Sequence, residues 1–295
     1  MSGIESLAGR VRPGIRAVCV VALLQLLGGC ASLVSSAAGG LTDNLSSAIL
    51  DSEDLELVRD GAPAYLLLMD GMLEGSPRDA GLLAAAAKLN SAYASAFVEE
   101  SARARRLHDK ALNMAERSVC ARIPSGCGLR TMAFKQFQSW VAERKARDVP
   151  LLYGLGSTWA GWMQVHSDDF NAVAELARVR LLMERLVALD ETYDNGGAHL
   201  YLGVFDTLFP PAMGGRPDAG RAHFERADAI AGGRSLLVRV MEAENYARLV
   251  FDRELHDQLL NSVIEAEPKA PGLTLTNIVA QKRARQLLDT ADEYF

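Results

Sequence analysis

From Leu55 onward the apolar residues recur at helical spacing, and nowhere does the alternation of a strand persist. Ala and Leu dominate and β-branched residues are sparse. The pattern predicts helices over 62–74, 79–98, 100–118, 130–147, 150–165, 168–188, 197–208, 217–230, 235–250, 253–265 and 274–292. Pro63 suits a first-turn position, where a missing N–H does no harm. Gly75-Ser76-Pro77, Gly232-Gly233 and the stretch from Pro268 to Gly272 are stops. Ser167, Asp168 and Asp169 form a favourable helix start, where acidic groups meet the positive end of the dipole. Over 100–118, Ala104, Leu107, Ala111, Leu112 and Ala115 make an apolar stripe, and Arg103, Arg105, Arg106 and Lys110 make a basic solvent face. Short links between many helices imply antiparallel neighbours, so the expected fold class is all-α, a stack of helix hairpins.

Small residues at helix crossings point to degenerate tetratricopeptide-like hairpins, an α-solenoid. Ala104-x3-His108-x2-Ala111-Leu112 and Gly220-x3-Phe224-x2-Ala227 match the second helix of such a unit. Ala-rich helices meet this pattern by chance, and no clean period of about 34 residues runs along the chain. An irregular helical bundle is the alternative.

The beginning of the chain follows a different pattern. Arg10, Arg12 and Arg16 precede an apolar run from Ala17 to Leu27, and Gly28, Gly29 and Cys30 follow. Basic segment, apolar segment and small-residue cleavage site are the layout of a secretory leader over 1–29. A cysteine at the cleavage point resembles a lipobox, which makes Cys30 the expected lipidation site. The run of roughly 11 apolar residues is too short for a spanning helix, which needs about 20. Ala31 and Ser32 follow with no Asp, which favours the outer membrane, facing the periplasm. Residues 30–54 then read as the lipidated cysteine and a Ser-, Ala- and Gly-rich tether, with a short helix from Asn44 to Leu50. The helical domain is expected over 55–295.

Charge narrows the range of partners. The chain carries 31 basic and 37 acidic residues, a net charge of −6. Loss of a leader holding three Arg and one Glu makes the remainder more acidic still. No basic stripe interleaved with aromatics occurs, so no nucleic-acid partner is expected. Membrane attachment must come from lipid rather than from charge. Of the four cysteines, Cys120 and Cys127 remain after the leader and the lipidated residue are set aside. An oxidising compartment favours a disulfide between them, and Pro124 and Gly126 suit the turn it needs. Two free thiols are the alternative. Metal ligation fails for want of Cys or His neighbours at ligand spacing.

Searches for catalytic chemistry come out negative. No Gly-x-Ser-x-Gly, His-Glu-x-x-His or Walker pattern occurs, and Gly154-x-Gly156 lacks the third glycine and preceding strand of a dinucleotide loop. The five His are far apart in sequence, each in a helical context. No enzyme, cofactor or metal is expected. The features that point to binding are aromatic. Trp140, Tyr153, Trp159 and Trp162 fall close together and include every Trp of the chain. Asn195, Gly196 and Gly197 open a helix that carries His199 and Tyr201, and the stretch Pro210 to Pro217, which includes Met213, is too rich in Pro and Gly for helix. Two readings stand. These residues line a cleft or channel mouth, with Trp140, Tyr153, Trp159, Trp162, Asn195, His199, Tyr201 and Met213 as the candidate ligand contacts. Otherwise the aromatics fill the core and the Pro-Gly loop is a long turn.

Several stretches taken together resemble one family. They are Ala62-Pro63-Ala64-Tyr65 with Asp70-Gly71, Ser91-Ala92-Tyr93-Ala94-Ser95-Ala96-Phe97-Val98, Trp159, Gly196 to Gly203, and Pro210-Pro211-Ala212-Met213-Gly214-Gly215. His223-Phe224-Glu225-Arg226-Ala227, Phe251-Asp252-Arg253-Glu254-Leu255 and Gln281-Lys282-Arg283-Ala284-Arg285 complete the set. In this order, behind a lipobox, they resemble the T component (TatT) of tripartite ATP-independent periplasmic (TRAP) transporters over about 55–295. The resemblance implies a periplasmic lipoprotein of tetratricopeptide-like hairpins, a homotrimer with a binding cavity in each subunit. It implies docking of the transporter's periplasmic solute-binding protein, with transport itself done by a separate permease. The family's ligand is not fixed by any motif, and apolar or amphipathic small molecules are the expectation. The Cys120 and Cys127 pair is not part of the family pattern. A tetratricopeptide-type scaffold lipoprotein for outer-membrane or pilus assembly is the alternative function.

Overall fold

The structure, a computed structural model, describes residue 45 and residues 47–295. The leader, Cys30 and the tether through residue 44 lie outside the described residues, as does residue 46. Residues 45 and 47–50 of the expected short helix are helical. Leu50–Phe295 is a unit in its own right.

Apolar periodicity becomes packed helices throughout this unit, and no strand occurs among the described residues. The chain runs α1 Leu55–Gly75, α2 Ala80–Phe97, α3 Ser101–Arg122, α4 Phe134–Ala142, α5 Val149–Val165, α6 Phe170–Ala174 and α7 Leu176–Asp190. It continues with α8 Tyr193–Thr207, α9 Pro217–Ala231, α10 Leu236–Met241, α11 Arg253–Glu265, α12 Thr274–Asp289 and α13 Ala291–Tyr294. Asp54, Asp79, Asp169 and Asp252 each cap a helix by accepting a backbone N–H from two or three residues ahead. Short links fold α2 back on α3 and α8 back on α9, and α5 lies against α3 and α7.

The small residues sit where these helices cross. Ala104, His108, Ala111 and Leu112 are buried in α3, and Gly220, Phe224 and Ala227 are buried in α9. A methyl group on Gly203 would strike the Phe224 ring, and one on Gly161 would strike the His108 ring. The main core runs from Met69 to Phe205 and centres on Trp159, Phe137, Leu152, Leu155, Leu182 and Met183. A second core, from Leu236 to Leu287, joins α10, α11 and α12. Two buried amides tie that part together. Asn277 accepts from the Leu236 N–H and donates to Arg234 and Pro268, while Gln281 donates to the last carbonyls of α11 and to Ala266.

Several expected boundaries differ, each for a local reason. The helix expected over 168–188 is interrupted at Glu175, whose carboxylate is taken by Arg130 and Trp159. The one expected over 130–147 is shorter, because Leu129–Thr131 forms a 3-10 turn and α4 starts only at Phe134. The run 235–250 passes from α-helix into a π-helix over Glu242–Ala247, which turns Glu242, Ala243, Tyr246 and Ala247 inward. At the start of α8, Asp194, Asn195 and Gly196 take left-handed φ values of 51°, 56° and 80°. The expected basic face of α3 is not free: Arg105 pairs with Asp168, Arg106 with Glu100 and Lys110 with Asp70, and Arg103 lies over the Tyr93 ring.

Candidate functional site

The aromatic residues singled out above divide between core and surface. Trp159 is fully buried. Its ring meets Phe137 edge-on, and its Nε1 donates to Glu175 at 2.5 Å, where Arg130 forms a bidentate pair. Trp140 is also in the core, stacked on Phe137, with the Arg144 guanidinium 4.6 Å above its ring. Cys120 and Cys127 are joined by a disulfide, Cα to Cα 4.4 Å. The short loop between them presses Gly126 against Trp140, so close that a methyl group there would strike the indole. Half-buried Trp162 stacks on His166, donates to Asp109 at 2.7 Å and lies under Arg130. Each indole is thus committed to neighbouring side chains.

Tyr153, Tyr193 and Tyr201 pack edge to face beside the left-handed turn that contains Asn195. Burial pushes the Tyr153 hydroxyl well above the usual phenol range and the Tyr201 hydroxyl to about 12, with Asp194 adding to both, so both stay neutral donors. The Tyr153 hydroxyl occupies the place a Cβ on Gly197 would take, which is why that position carries no side chain. His199, buried in α8, shares a proton with His223, Nδ1 to Nδ1 2.8 Å, and its Nε2 faces Glu191 at 3.2 Å. Arg226 holds Glu191, foremost by hydrogen bonding, down to about 2. Burial and the neighbouring His199 lower His223, so protonation there is disfavoured. Met213 is exposed.

The space lies elsewhere. A cleft of about 370 Å³ opens between α6, the start of α7, the end of α8 and the loop that follows it. Val173, Ala174, Leu176, Ala177, Phe205, Phe209, Gly214 and Gly215 line it, with Arg180 as its one charged lining residue. None of the eight expected contacts lines it, although Met213 adjoins Gly214 in the loop. The Pro-Gly loop does form a wall, and its glycines are required there. Gly214 has φ 89°, and a Cβ on Gly215 would sit 1.6 Å from the Phe209 carbonyl oxygen. The loop is fastened at both ends, by Gly215 N–H to Pro210 and by Arg216 N–H to Asp206.

Asp206 anchors the floor of this region, its side chain fully buried. Arg180 Nη1 and Arg216 Nε both donate to its Oδ1, at 2.7 and 2.9 Å. Its Oδ2 has no hydrogen-bond partner, and the nearest cationic candidate is His223 Nε2 at 3.9 Å. The residues missed by sequence reasoning are therefore Arg180, Phe205, Asp206 and Phe209. The one signal for them was Phe205-Asp206-x-x-Phe209 running directly into the Pro-Pro loop.

Exposed apolar side chains neighbour the lining residues along the chain. Phe170 lies one helical turn before Val173 and Ala174 and is 91% exposed, while Leu208 and Met213 adjoin Phe209 and Gly214. Among the described residues no group of His, Cys, Asp and Glu is arranged to hold a metal ion, and no helix is long and apolar enough to cross a membrane.

The described residues thus form an all-α array of packed hairpins with an apolar cleft at one side of it. Residues 51–295 match the model of the TRAP transporter T-component family, and the chain belongs to that family. No curated relative matches it. The family is an accessory component of TRAP transport systems rather than an enzyme family.

Proposed function

We propose that this T component is a lipid-anchored periplasmic protein, held through Cys30 at the outer membrane, that binds a small apolar ligand and docks its system's solute-binding protein. The observation that carries the ligand half of this reading is the 370 Å³ cleft walled by Phe205, Phe209, Val173 and Leu176. That volume falls within the range of about 300–1,000 Å³ usual for small-molecule sites. Exposed Phe170, Leu208 and Met213, close to lining residues along the chain, favour docking at the same face, because exposed apolar groups are covered when a partner seats. The reading includes a homotrimer with one such cleft in each subunit. Ligand passes between the docked protein and the cleft while the lipid keeps the assembly near the membrane.

Native mass spectrometry of residues 50–295, purified without detergent, tests the ligand half. The unit carries its own cores, ion pairs and disulfide, so it is the natural piece to use. Wild type is expected to carry a stoichiometric small molecule. Ala177→Trp, which fills the cleft from an exposed lining position, is expected to lose it while unfolding at an unchanged temperature. Retention of the molecule by Ala177→Trp would place the ligand elsewhere.

A further inference from the structure

The cleft is apolar along its walls, yet a guanidinium stands in it. Arg180 is partly buried, its side chain 22% exposed, and its one hydrogen bond goes from Nη1 to Asp206. A guanidinium has five N–H donors. The remaining donors of Arg180 make no hydrogen bond within the fold, so a ligand that supplies acceptors there gains charge-assisted hydrogen bonds in addition to its contact area. The local charge has the same sense. Arg180 and Arg216 share a single carboxylate oxygen, so two cations face one anion. Nearby Glu175 is occupied by Arg130 and Trp159, and Glu191 by Arg226 and His199. His223, whose charged form is disfavoured by burial and by His199, is neutral and adds no charge. The one charged residue lining the apolar cleft therefore shares its counter-ion with a second guanidinium.

We infer that the ligand of this cleft has an apolar body and a single anionic head group, and that Arg180 is the residue that selects the head. This rests on the cleft being the binding site and deepens that reading. The body packs against Phe205, Phe209, Val173 and Leu176, and the head accepts the N–H groups of Arg180 that Asp206 leaves free. Charge-assisted hydrogen bonds of this kind are about twice as strong as neutral ones and favour planar, two-oxygen acceptors. Asp206 acts as a competitor for the same guanidinium. It holds Arg180 in place and weakens its hold on the ligand.

Titration calorimetry with decanoate, decanol and decyltrimethylammonium, below their micelle-forming concentrations, tests this. Decanoate is expected to bind wild type at least tenfold more tightly than decanol, and decyltrimethylammonium more weakly than either. In Arg180→Gln the ratio of decanoate to decanol affinity is expected to fall to about one. Should that variant fail to fold because Asp206 loses a partner, Asp206→Asn provides a second arm. It removes the competing charge, so decanoate affinity is expected to rise several-fold while decanol affinity stays the same. Equal affinities for decanoate and decanol in wild type would overturn the head-group inference and leave the cleft reading standing. No binding of any probe would overturn the cleft reading, and this inference with it.

Discussion

Around Trp159, the buried carboxylate is matched on both oxygens. Glu175 receives Arg130 through two hydrogen bonds and the indole N–H through a third. Around Asp206 it is not. Two guanidiniums crowd one oxygen, the other oxygen has no hydrogen-bond partner, and Arg180 keeps donors that nothing in the fold uses. Both regions are aromatic-rich and mostly buried, and both hold carboxylates and arginines. The difference lies in how completely each buried carboxylate is satisfied. A satisfied network holds a core together, whereas an unsatisfied one beside open space is available to a ligand. Aromatic density alone therefore points to the core, and a half-paired carboxylate shared by two guanidiniums beside open space points to the site.

Substitutions in the two regions should separate along this line. The largest effect belongs to the matched region. Trp159→Ala leaves a cavity at the centre of the main core and strips a donor from Glu175, and is expected to cost about 3–5 kcal/mol in urea unfolding. Opening the disulfide next to it, by Cys120→Ser with Cys127→Ser, is expected to cost about 2–3 kcal/mol for so short a loop. Ligand affinity measured in the folded fraction should be unchanged by either, and loss of binding in a folded Trp159→Ala protein would blur the distinction.

Gly215→Ala should show the reverse pattern. The new methyl group must push the loop off Phe209, so binding is expected to be lost while stability falls by only about 1–3 kcal/mol. A proton-linked effect of similar size lies outside both regions. Burial in the π-helix, reinforced by Glu225, raises Glu242 to about 7 from a usual value near 4.5. A raised carboxyl favours the protonated form in the folded state, so stability is expected to fall as pH rises from about 4.5 through about 7, then level off. Glu242→Gln should flatten that slope in thermal melts at pH 5 and pH 8, with its largest gain at pH 8. An unchanged slope would show that Glu242 titrates normally. The smallest effect is expected at the margin of the tryptophan cluster. Trp162→Phe loses one partly exposed hydrogen bond to Asp109 and should cost less than about 1 kcal/mol.

Much of the fold was legible in the sequence, because helix periodicity and caps are local. Asp169 before α6 and the Gly232-Gly233 stop after α9 each act within a few residues. The boundaries that moved depend on distant partners: Glu175 breaks a helix while bound to Arg130, which is 45 residues away. The π-helix over Glu242–Ala247 and the left-handed turn at Asp194 and Asn195 depend on packing that no local pattern encodes. For the site, the Pro-Gly loop was legible as an unusual wall, since Gly214 and Gly215 are demanded by backbone geometry. Arg180 was not, because a lone arginine on an amphipathic helix reads as solvent-facing. Its role follows from Asp206, which only the fold brings to it.

Hydrogen exchange with and without decanol locates binding most directly. Decanol reports the apolar walls whatever the head-group preference. The account predicts slowed exchange at residues 173–180 and 205–216, with residues 153–166 unchanged. Protection centred on 153–166, or no protection anywhere, would contradict the claim that the cleft rather than the tryptophan cluster is the binding site.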